Sequence, residues 1–70
     1  MPDHKELKNH LKRLRKKAKL TQAELARQTR VSRKTINTVE NGVFIPSTIL
    51  ALRLADALAV SVEDIFQLPT

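Results

Sequence analysis

Four side chains able to contact nucleic-acid bases lie close together near the middle of the chain: Arg33, Lys34, Asn37 and Thr38. Residues three and four apart are neighbours on a helix surface, so a helix through this segment places them on one face. Arg33 and Lys34 can donate hydrogen bonds to guanine O6 and N7, or to a phosphate. Asn37 can pair with adenine, and the methyl group of Thr38 can meet that of thymine. The segment therefore has the residue types and the spacing of a nucleic-acid-binding surface.

Two helix-start signals position this segment. Thr21 followed by Glu24 has the pattern of a capping box, and Ser32, eleven residues after Thr21, is a second N-cap. Asn41 and Gly42 mark the end of the second helix, because both residue types tolerate the left-handed conformation that often ends a helix. Two short helices with almost no linker must cross steeply. The second helix is therefore expected to project from the surface.

The positive charge is concentrated in the first half of the chain. Twelve of the 13 Lys and Arg residues lie between Lys5 and Lys34 with only two acids among them, a net +10, whereas the whole chain carries +6. A segment this basic favours a polyanionic partner, through release of counterions from phosphates. The alternative, a merely solubilising surface, would mix the two signs more evenly.

Length and composition limit the other possibilities. The chain has 70 residues, two Phe, no Trp or Tyr and no cysteine, which indicates one small domain. The lack of cysteine argues against disulfides, thiolate catalysis and cysteine-ligated zinc, and suits a reducing compartment. No apolar run approaches the roughly 18 residues of a membrane span, and the N-terminus lacks a signal-peptide core. We expect a cytoplasmic domain stabilised by a second copy.

The N-terminal segment is predicted to form a first helix from about Asp3 or His4 to Lys19. Asp3 and Glu6 have the spacing of a capping pair at its start. Apolar residues then recur at helical spacing and make one stripe: Leu7, Leu11, Leu14 and Ala18. We expect this stripe to pack on the core, with basic residues on the opposite faces.

The C-terminal part is predicted to hold two more helices, which brings the total to five helices and no strand. Ser47 caps the fourth helix, which is the most apolar segment and hence the expected centre of the core. Ser61 and Asp64 make a capping pair for a brief fifth helix that contains Ile65 and Phe66. The expected fold class is all-α.

Two runs of the sequence together resemble a known family. LTQAELARQTRVSRKTINTVENG and IPSTILALRLADALAVSVEDIF are similar to the phage-repressor (Cro/CI, or xenobiotic-response-element) family of helix-turn-helix regulators. The resemblance covers about Leu7 to Leu68. It implies a compact five-helix, lambda-repressor-like domain of the short single-domain bacterial type over residues 1–70, with the helix-turn-helix at 21–42 and C-terminal helices at 47–68. It also implies a repressor that binds double-stranded operator DNA as a homodimer.

The resemblance assigns phosphate contacts to residues around the reading helix. Gln22 matches the family's phosphate-contacting glutamine, whose amide suits fixing the register on DNA. Asn41 and Gly42 match positions whose main-chain N–H groups meet phosphate. Ser32, at the start of the reading helix, is a further expected phosphate contact.

Arg15 and Glu40 match a partly buried ion pair of the family. That pair holds the first helix against the reading helix, and loss of one partner would strand the other charge. The alternative interpretation is that Arg15 is one more base that faces phosphate.

The sequence departs from the family pattern at Arg30. The turn between the two helices usually carries glycine just before Val-Ser, and here that position is Arg30. A left-handed backbone there would cost a non-glycine residue about 1 kcal/mol or more. We hypothesise that Arg30 recovers part of that cost by contacting a phosphate.

The C-terminal end carries more apolar residues than a short monomer requires. We expect Ile65, Phe66 and Leu68, with Phe44 and Ile45, to form a two-fold interface, although Ile65 could serve mainly in the core. A single reading helix covers few base pairs, so family dimers use half-sites about 34 Å apart.

The residue inventory gives no support to an enzyme. His4 and His10 fall on different helix faces with no carboxylate cluster nearby, so no metal site is expected. The chain offers no nucleophile–base arrangement and no glycine-rich phosphate loop. We therefore expect no catalytic residues, no cofactor and no small-molecule ligand.

Two non-enzymatic alternatives stay open. The basic, amphipathic first helix could lie on an anionic membrane, although it lacks a Trp or Phe anchor. The chain could also be an antitoxin-type DNA-binding protein whose main task is to bind a partner protein. The sequence has no extra tail for such a partner, which weakens that interpretation without removing it.

Overall fold

Five helices and one pair of very short strands make up residues 7–69, which are the residues described by this computed structural model. In chain order they are β1 (Lys8–Asn9), α1 (Leu11–Lys17), α2 (Gln22–Thr29), α3 (Arg33–Glu40), α4 (Thr48–Leu58), α5 (Val62–Ile65) and β2 (Phe66–Gln67). The strands pair antiparallel, with Lys8 opposite Gln67 and Asn9 opposite Phe66. The fold is that of a mostly helical domain with five helices, as predicted, but the expectation of no strand is wrong, because residues 8–9 and 66–67 pair.

The capping signals predicted from the sequence are present. The hydroxyl of Thr21 accepts the N–H of Glu24 at 3.0 Å, and the Glu24 carboxylate accepts the N–H of Thr21 at 2.9 Å. Ser61 and Asp64 form the same reciprocal box. Ser32 and Ser47 cap α3 and α4. Each helix after α1 therefore begins where its four-residue signal indicated.

Every helix contributes buried apolar side chains to the core, from one each in α1 and α5 to four in α4. The largest fully buried apolar side chains are Leu11, Leu25, Ile36, Val39, Leu54 and Ile65. Helix α2 packs against both α3 and α4. Because α3 gives its apolar edge to this core, its remaining faces are left for other contacts.

The N-terminal prediction is wrong over residues 7–10. No helix passes through them, because the main chain of Asn9 pairs with β2 and the N–H of His10 donates to the carbonyl of Ile65 at 2.8 Å. The side-chain oxygen of Asn9 accepts the N–H of Leu11 at 3.0 Å, and its amide donates to the carbonyl of Val39 at 2.6 Å. Asn9 thus makes α1 begin at Leu11, later than predicted, and holds the start of α1 against the end of α3.

The first helix also ends earlier than predicted. It stops at Lys17 because Lys19 adopts a left-handed conformation, with φ of 60°. Ala18, a member of the predicted apolar stripe, is exposed. The proposed capping pair of Asp3 and Glu6 lies outside the described residues. The fifth helix likewise ends one residue early, because Phe66 is in β2.

The turn between α2 and α3 uses the left-handed backbone expected at Arg30. Its φ and ψ are 63° and 39°, and the N–H of Val31 donates to the carbonyl of Ala26 at 3.0 Å. This bond closes α2 with a non-glycine residue in a conformation that glycine adopts more easily. The Arg30 side chain is exposed.

The two capping boxes make stability depend on pH in the acidic range. Hydrogen bonds from Thr21, chiefly from its main-chain N–H, lower the pKa of Glu24 from its usual 4.5. The main-chain N–H of Ser61 does most to lower the pKa of Asp64 from its usual 3.8. A carboxyl whose pKa is lower in the folded state than in the unfolded state contributes to the free energy of unfolding. That contribution is complete above the unfolded-state pKa and is lost as the pH falls through the folded-state pKa.

We therefore expect the free energy of unfolding to fall with pH from about 4.5 downward, and the double variant Glu24→Gln, Asp64→Asn to show a shallower decline. Urea denaturation between roughly pH 3 and pH 6 measures the free energy of unfolding of both proteins. Asp56→Asn, which removes an exposed carboxylate outside both boxes, is the control. A decline that is equally steep in the double variant would contradict the assignment.

Candidate nucleic-acid interface

Helix α3 presents polar side chains to solvent because its apolar ones are fixed in the core. The Ser32 hydroxyl accepts the N–H of Thr35 at 3.1 Å and starts the helix at Arg33. Ile36 and Val39 are fully buried. The predicted reading residues therefore lie outward: Arg33, Lys34 and Asn37 are exposed and Thr38 is half-buried.

Three of these side chains share an open cavity with a residue of α2. Arg33, Lys34 and Asn37 line it together with Gln22, and its volume is about 340 Å³. Arg33, Lys34 and Asn37 contribute N–H donors to it. The cavity therefore suits an electron-rich partner such as the acceptor edge of a base or a phosphate oxygen. Sequence reasoning named these four residues but did not place Gln22 beside Asn37.

A buried ion pair fixes α3 against α1. Nε of Arg15 donates to Oε2 of Glu40 at 2.5 Å, and Nη2 donates to Oε1 at 3.2 Å. Nη1 of Arg15 donates to the carbonyl of Leu20 at 2.8 Å. The Arg15 and Glu40 side chains are only 10% and 1% exposed. Arg15 is thus an interior residue, and the alternative that it faces phosphate is wrong.

The side chain of Gln22 connects this ion pair to the reading face. Its Nε2 donates to Oε1 of Glu40 at 3.0 Å and to Oδ1 of Asn37 at 3.2 Å. A primary amide has two N–H donors, so both are used inside the protein. A phosphate contact from Gln22 would have to use its main-chain N–H or break one of these bonds.

The C-terminal end of α3 differs from the expectation for Asn41 and Gly42. The N–H of Asn41 donates to the carbonyl of Asn37 at 3.1 Å, and that of Gly42 to the carbonyl of Val39 at 3.1 Å. Gly42 is left-handed, with φ of 73°, as the helix-end signal predicted. Both main-chain donors are therefore engaged in ending the helix. The exposed Asn41 side chain is the polar group that reaches solvent here.

Phe44 lies beside the reading helix. It is 46% exposed and lines a concavity together with residues of α3 and its flanking turns: Ser32, Lys34, Thr35, Thr38 and Val43. The main-chain N–H groups of Val43 and Phe44 both donate to the carbonyl of Thr38, at 3.0 and 3.3 Å. These bonds fold the loop back onto α3, so Phe44 is separate from the apolar surface around Phe66.

A second, apolar groove is formed where α4, α5, β2 and the loop before α4 meet. It has a volume of about 430 Å³, and its lining residues are Leu7, Ile45, Pro46, Thr48, Ala51, Leu52, Val62 and Phe66. Leu52 is 58% exposed and Leu68, near the chain end, is 78% exposed. Ile65 has no exposed surface, so it belongs to the core and cannot touch a second copy directly.

Sequence reasoning missed Leu52 as a surface residue. Leu50, Leu54 and Leu58 follow one side of α4 at a spacing of four residues, and all are buried. Leu52 falls between Leu50 and Leu54 on the other side, a position that helical periodicity alone reveals. An apolar residue on the outer face of an otherwise amphipathic helix is the signal that could have identified it.

Within residues 7–69, no cluster of three or more His, Cys, Asp or Glu could hold a metal ion. His10 precedes α1 and is half-buried, while His4 lies outside the described residues. Of the helices in the described part of the chain, none is long and apolar enough to cross a membrane.

Comparison with known sequences identifies close relatives. A family model described as helix-turn-helix matches residues 11–65. The chain is 45% identical over 60 residues to the uncharacterized HTH-type transcriptional regulator MJ0272 of Methanocaldococcus jannaschii, covering 86% of this chain and 91% of that protein. It is 36% identical over 62 residues to the uncharacterized HTH-type transcriptional regulator YgzD of Bacillus subtilis, covering 89% and 94%. Archaeal and bacterial relatives therefore both occur, which does not single out the bacterial type.

A solved structure has the same fold. The clp gene regulator ClgR from Corynebacterium glutamicum superposes with a TM-score of 0.74 at 33% identity. The match covers 77% of this chain and 57% of that one, so it concerns little more than half of the ClgR chain.

We expect removal of either partner of the Arg15–Glu40 pair to lower the free energy of unfolding by about 3–5 kcal/mol, since the other charge stays buried. Arg15→Met and Glu40→Leu are compared with the double variant Arg15→Met, Glu40→Leu by urea denaturation. The double variant should lose much less than the two single losses added together. Arg13→Ala, an exposed base on the same helix, is the control. Strictly additive losses would contradict the coupling.

Proposed function

The chain belongs to the Cro/CI-type helix-turn-helix family of DNA-binding transcriptional regulators, and on that basis we propose that it is a repressor that binds a pseudo-palindromic operator as a homodimer. The family is a DNA-binding one and not a family of enzymes. The observation that carries the proposal is the exposed row of Arg33, Lys34 and Asn37 on a helix fixed by a buried ion pair.

In this proposal α3 enters the major groove and its exposed side chains contact base edges. Arg33 is the strongest candidate for a base contact, because its planar guanidinium can donate twice to one guanine. Lys34 reaches a base or a phosphate, and the methyl group of Thr38 meets thymine. The Thr38 hydroxyl already donates its hydrogen bond to the carbonyl of Thr35 at 2.9 Å, so only its methyl group and its oxygen lone pairs are left to contact DNA.

Phosphate contacts surround the reading helix. Arg30 and Ser32 are exposed in the turn before α3, and Asn41 is exposed after it. Gln22 would contribute its main-chain N–H at the first position of α2, where a helix N-terminus favours an anion. Such contacts fix position and carry no sequence information. A dimer held on promoter DNA in the cytoplasm would exclude other proteins from the same site, which is why we propose repression.

We expect Arg33→Ala and Arg30→Gly to weaken DNA binding in different ways. Arg33→Ala should lose discrimination at one base position, worth about 1–3 kcal/mol. Arg30→Gly removes a charge without straining the turn, so it should weaken all sequences alike and reduce the salt slope by about 1. Titrations on operator and random DNA at several salt concentrations measure both. Equal losses on both DNAs for both variants would refute this division of roles.

The proposed two-fold interface is centred on the apolar groove. Phe66 and Leu52 both line it, Leu52 is 58% exposed, and Leu68, two residues after Phe66 in the chain, is a further exposed apolar residue. A contiguous apolar surface on so small a domain favours a protein partner. A second copy is the occupant we propose, because one reading helix covers too few base pairs for a useful operator.

Leu52→Asp should convert the dimer into a monomer, since a carboxylate would be buried at the interface without a partner. Phe66→Asp should do the same but also perturbs the core, against which Phe66 packs. Val43→Asp, at a 68% exposed apolar residue outside the groove, is the control. Sedimentation velocity gives the oligomeric state.

A dimer that persists in Leu52→Asp would exclude this interface. A wild-type chain that is monomeric, and that co-purifies from its host with a different protein through Leu52, would support the antitoxin-type alternative instead.

A further inference from the structure

The orientation of the Gln22 amide is dictated by the charge of Glu40. A carboxylate accepts hydrogen bonds and donates none, so the group of Gln22 that faces Oε1 of Glu40 must be the NH₂. The contact is 3.0 Å, and the carboxylate is held in place from the other side by Arg15. The reversed amide would set oxygen against oxygen. The oxygen and nitrogen positions of Gln22 therefore follow from chemistry.

The second hydrogen of the same nitrogen determines the orientation of Asn37. Nε2 of Gln22 lies 3.2 Å from Oδ1 of Asn37, and an N–H can be accepted only by the oxygen of that amide. Oδ1 is thus directed at Gln22, and the Nδ2 group of Asn37 is left for the cavity shared with Arg33 and Lys34. A chain of hydrogen bonds runs from the buried ion pair to the reading surface.

We infer that this chain makes the reading surface a set of hydrogen-bond donors, and that Asn37 selects guanine over adenine in the half-site. The inference rests on the proposed function. Bidentate pairing with adenine needs the oxygen and nitrogen of Asn37 to point at the same base, because adenine offers N7 as acceptor and N6 as donor. Guanine offers two acceptors, O6 and N7, which match a group that only donates.

The neighbouring side chains strengthen the same preference. Arg33 and Lys34 have donors and no acceptor, so the three exposed residues of α3 that line the cavity all demand acceptors. This differs from the sequence-based expectation that Asn37 pairs with adenine. Gln22 becomes a positioning residue for specificity, in addition to any contact that its main chain makes with phosphate.

The inference is tested by selection from a randomised operator library at one fixed salt concentration. Asn37→Ala first identifies the base position that Asn37 contacts, as the position where discrimination is lost. The wild-type protein should select guanine there. Gln22→Met removes the donor and leaves Asn37 free to turn, so the preference for guanine over adenine should fall roughly tenfold. Gln28→Met, at an exposed glutamine of the same helix, should select as the wild type does.

Adenine at that position in the wild type, or an unchanged preference in Gln22→Met, would overturn the inference while leaving the proposed function intact. A wild-type protein that enriches no sequence would overturn the proposed function and the inference with it. The two failures are therefore distinguishable.

A second measurement on the free protein does not depend on any variant. The two side-chain amide hydrogens of Gln22 should exchange with water at least about tenfold more slowly than those of Gln28, because both Gln22 hydrogens are hydrogen-bonded within the protein. NMR exchange spectroscopy measures both rates. Equal rates would show that the chain of hydrogen bonds is absent in solution, and would overturn the inference.

Discussion

The buried pair of Arg15 and Glu40 is the constraint on which the reading surface depends. Its members are almost without solvent contact, and Arg15 also donates to the carbonyl of Leu20 in the connection to α2. Burial of two charges costs desolvation free energy that their attraction offsets only when the geometry is good, so such a pair adds geometric definition more dependably than stability. Here it fixes α1, the start of α2 and the end of α3 in one arrangement.

The N-terminal segment completes that arrangement from the other side. Asn9 donates to the carbonyl of Val39, one residue before Glu40, while its main chain pairs with Phe66 in β2. The last turn of α3 is thus held by a charge and by a side-chain amide, both from residues that precede α2. With its buried edge fixed in this way, α3 can expose a nearly continuous polar face without loss of orientation.

The sequence predicts most of the fold because its strongest signals are local. The caps at Thr21, Ser32, Ser47 and Ser61 each depend on residues within three positions, and all four are correct. The predicted start of α1 is wrong because the contacts that set the true start are distant in sequence. The Asn9 amide donates to the carbonyl of Val39, 30 positions away. Leu7 and Leu11 have the spacing of one helix even though β1 lies between them, so their periodicity does not reveal the strand.

The sequence predicts which residues make up the candidate site, but not whether the Asn37 amide presents a donor or an acceptor there. Arg33, Lys34 and Asn37 could be named from their spacing and from the resemblance to the helix-turn-helix family, yet an asparagine can present either end of its amide. Which end it presents is decided by Gln22, which contacts Asn37, and behind it by Glu40, which contacts Gln22; only the folded chain reveals these two contacts. A glutamine at position 40 could face Gln22 with either end of its amide, so an acceptor-only carboxylate is required to define the direction. Because that carboxylate is buried and paired with Arg15, its charge is neutralised close by. It can therefore set the polarity of the reading surface without repelling the DNA phosphates.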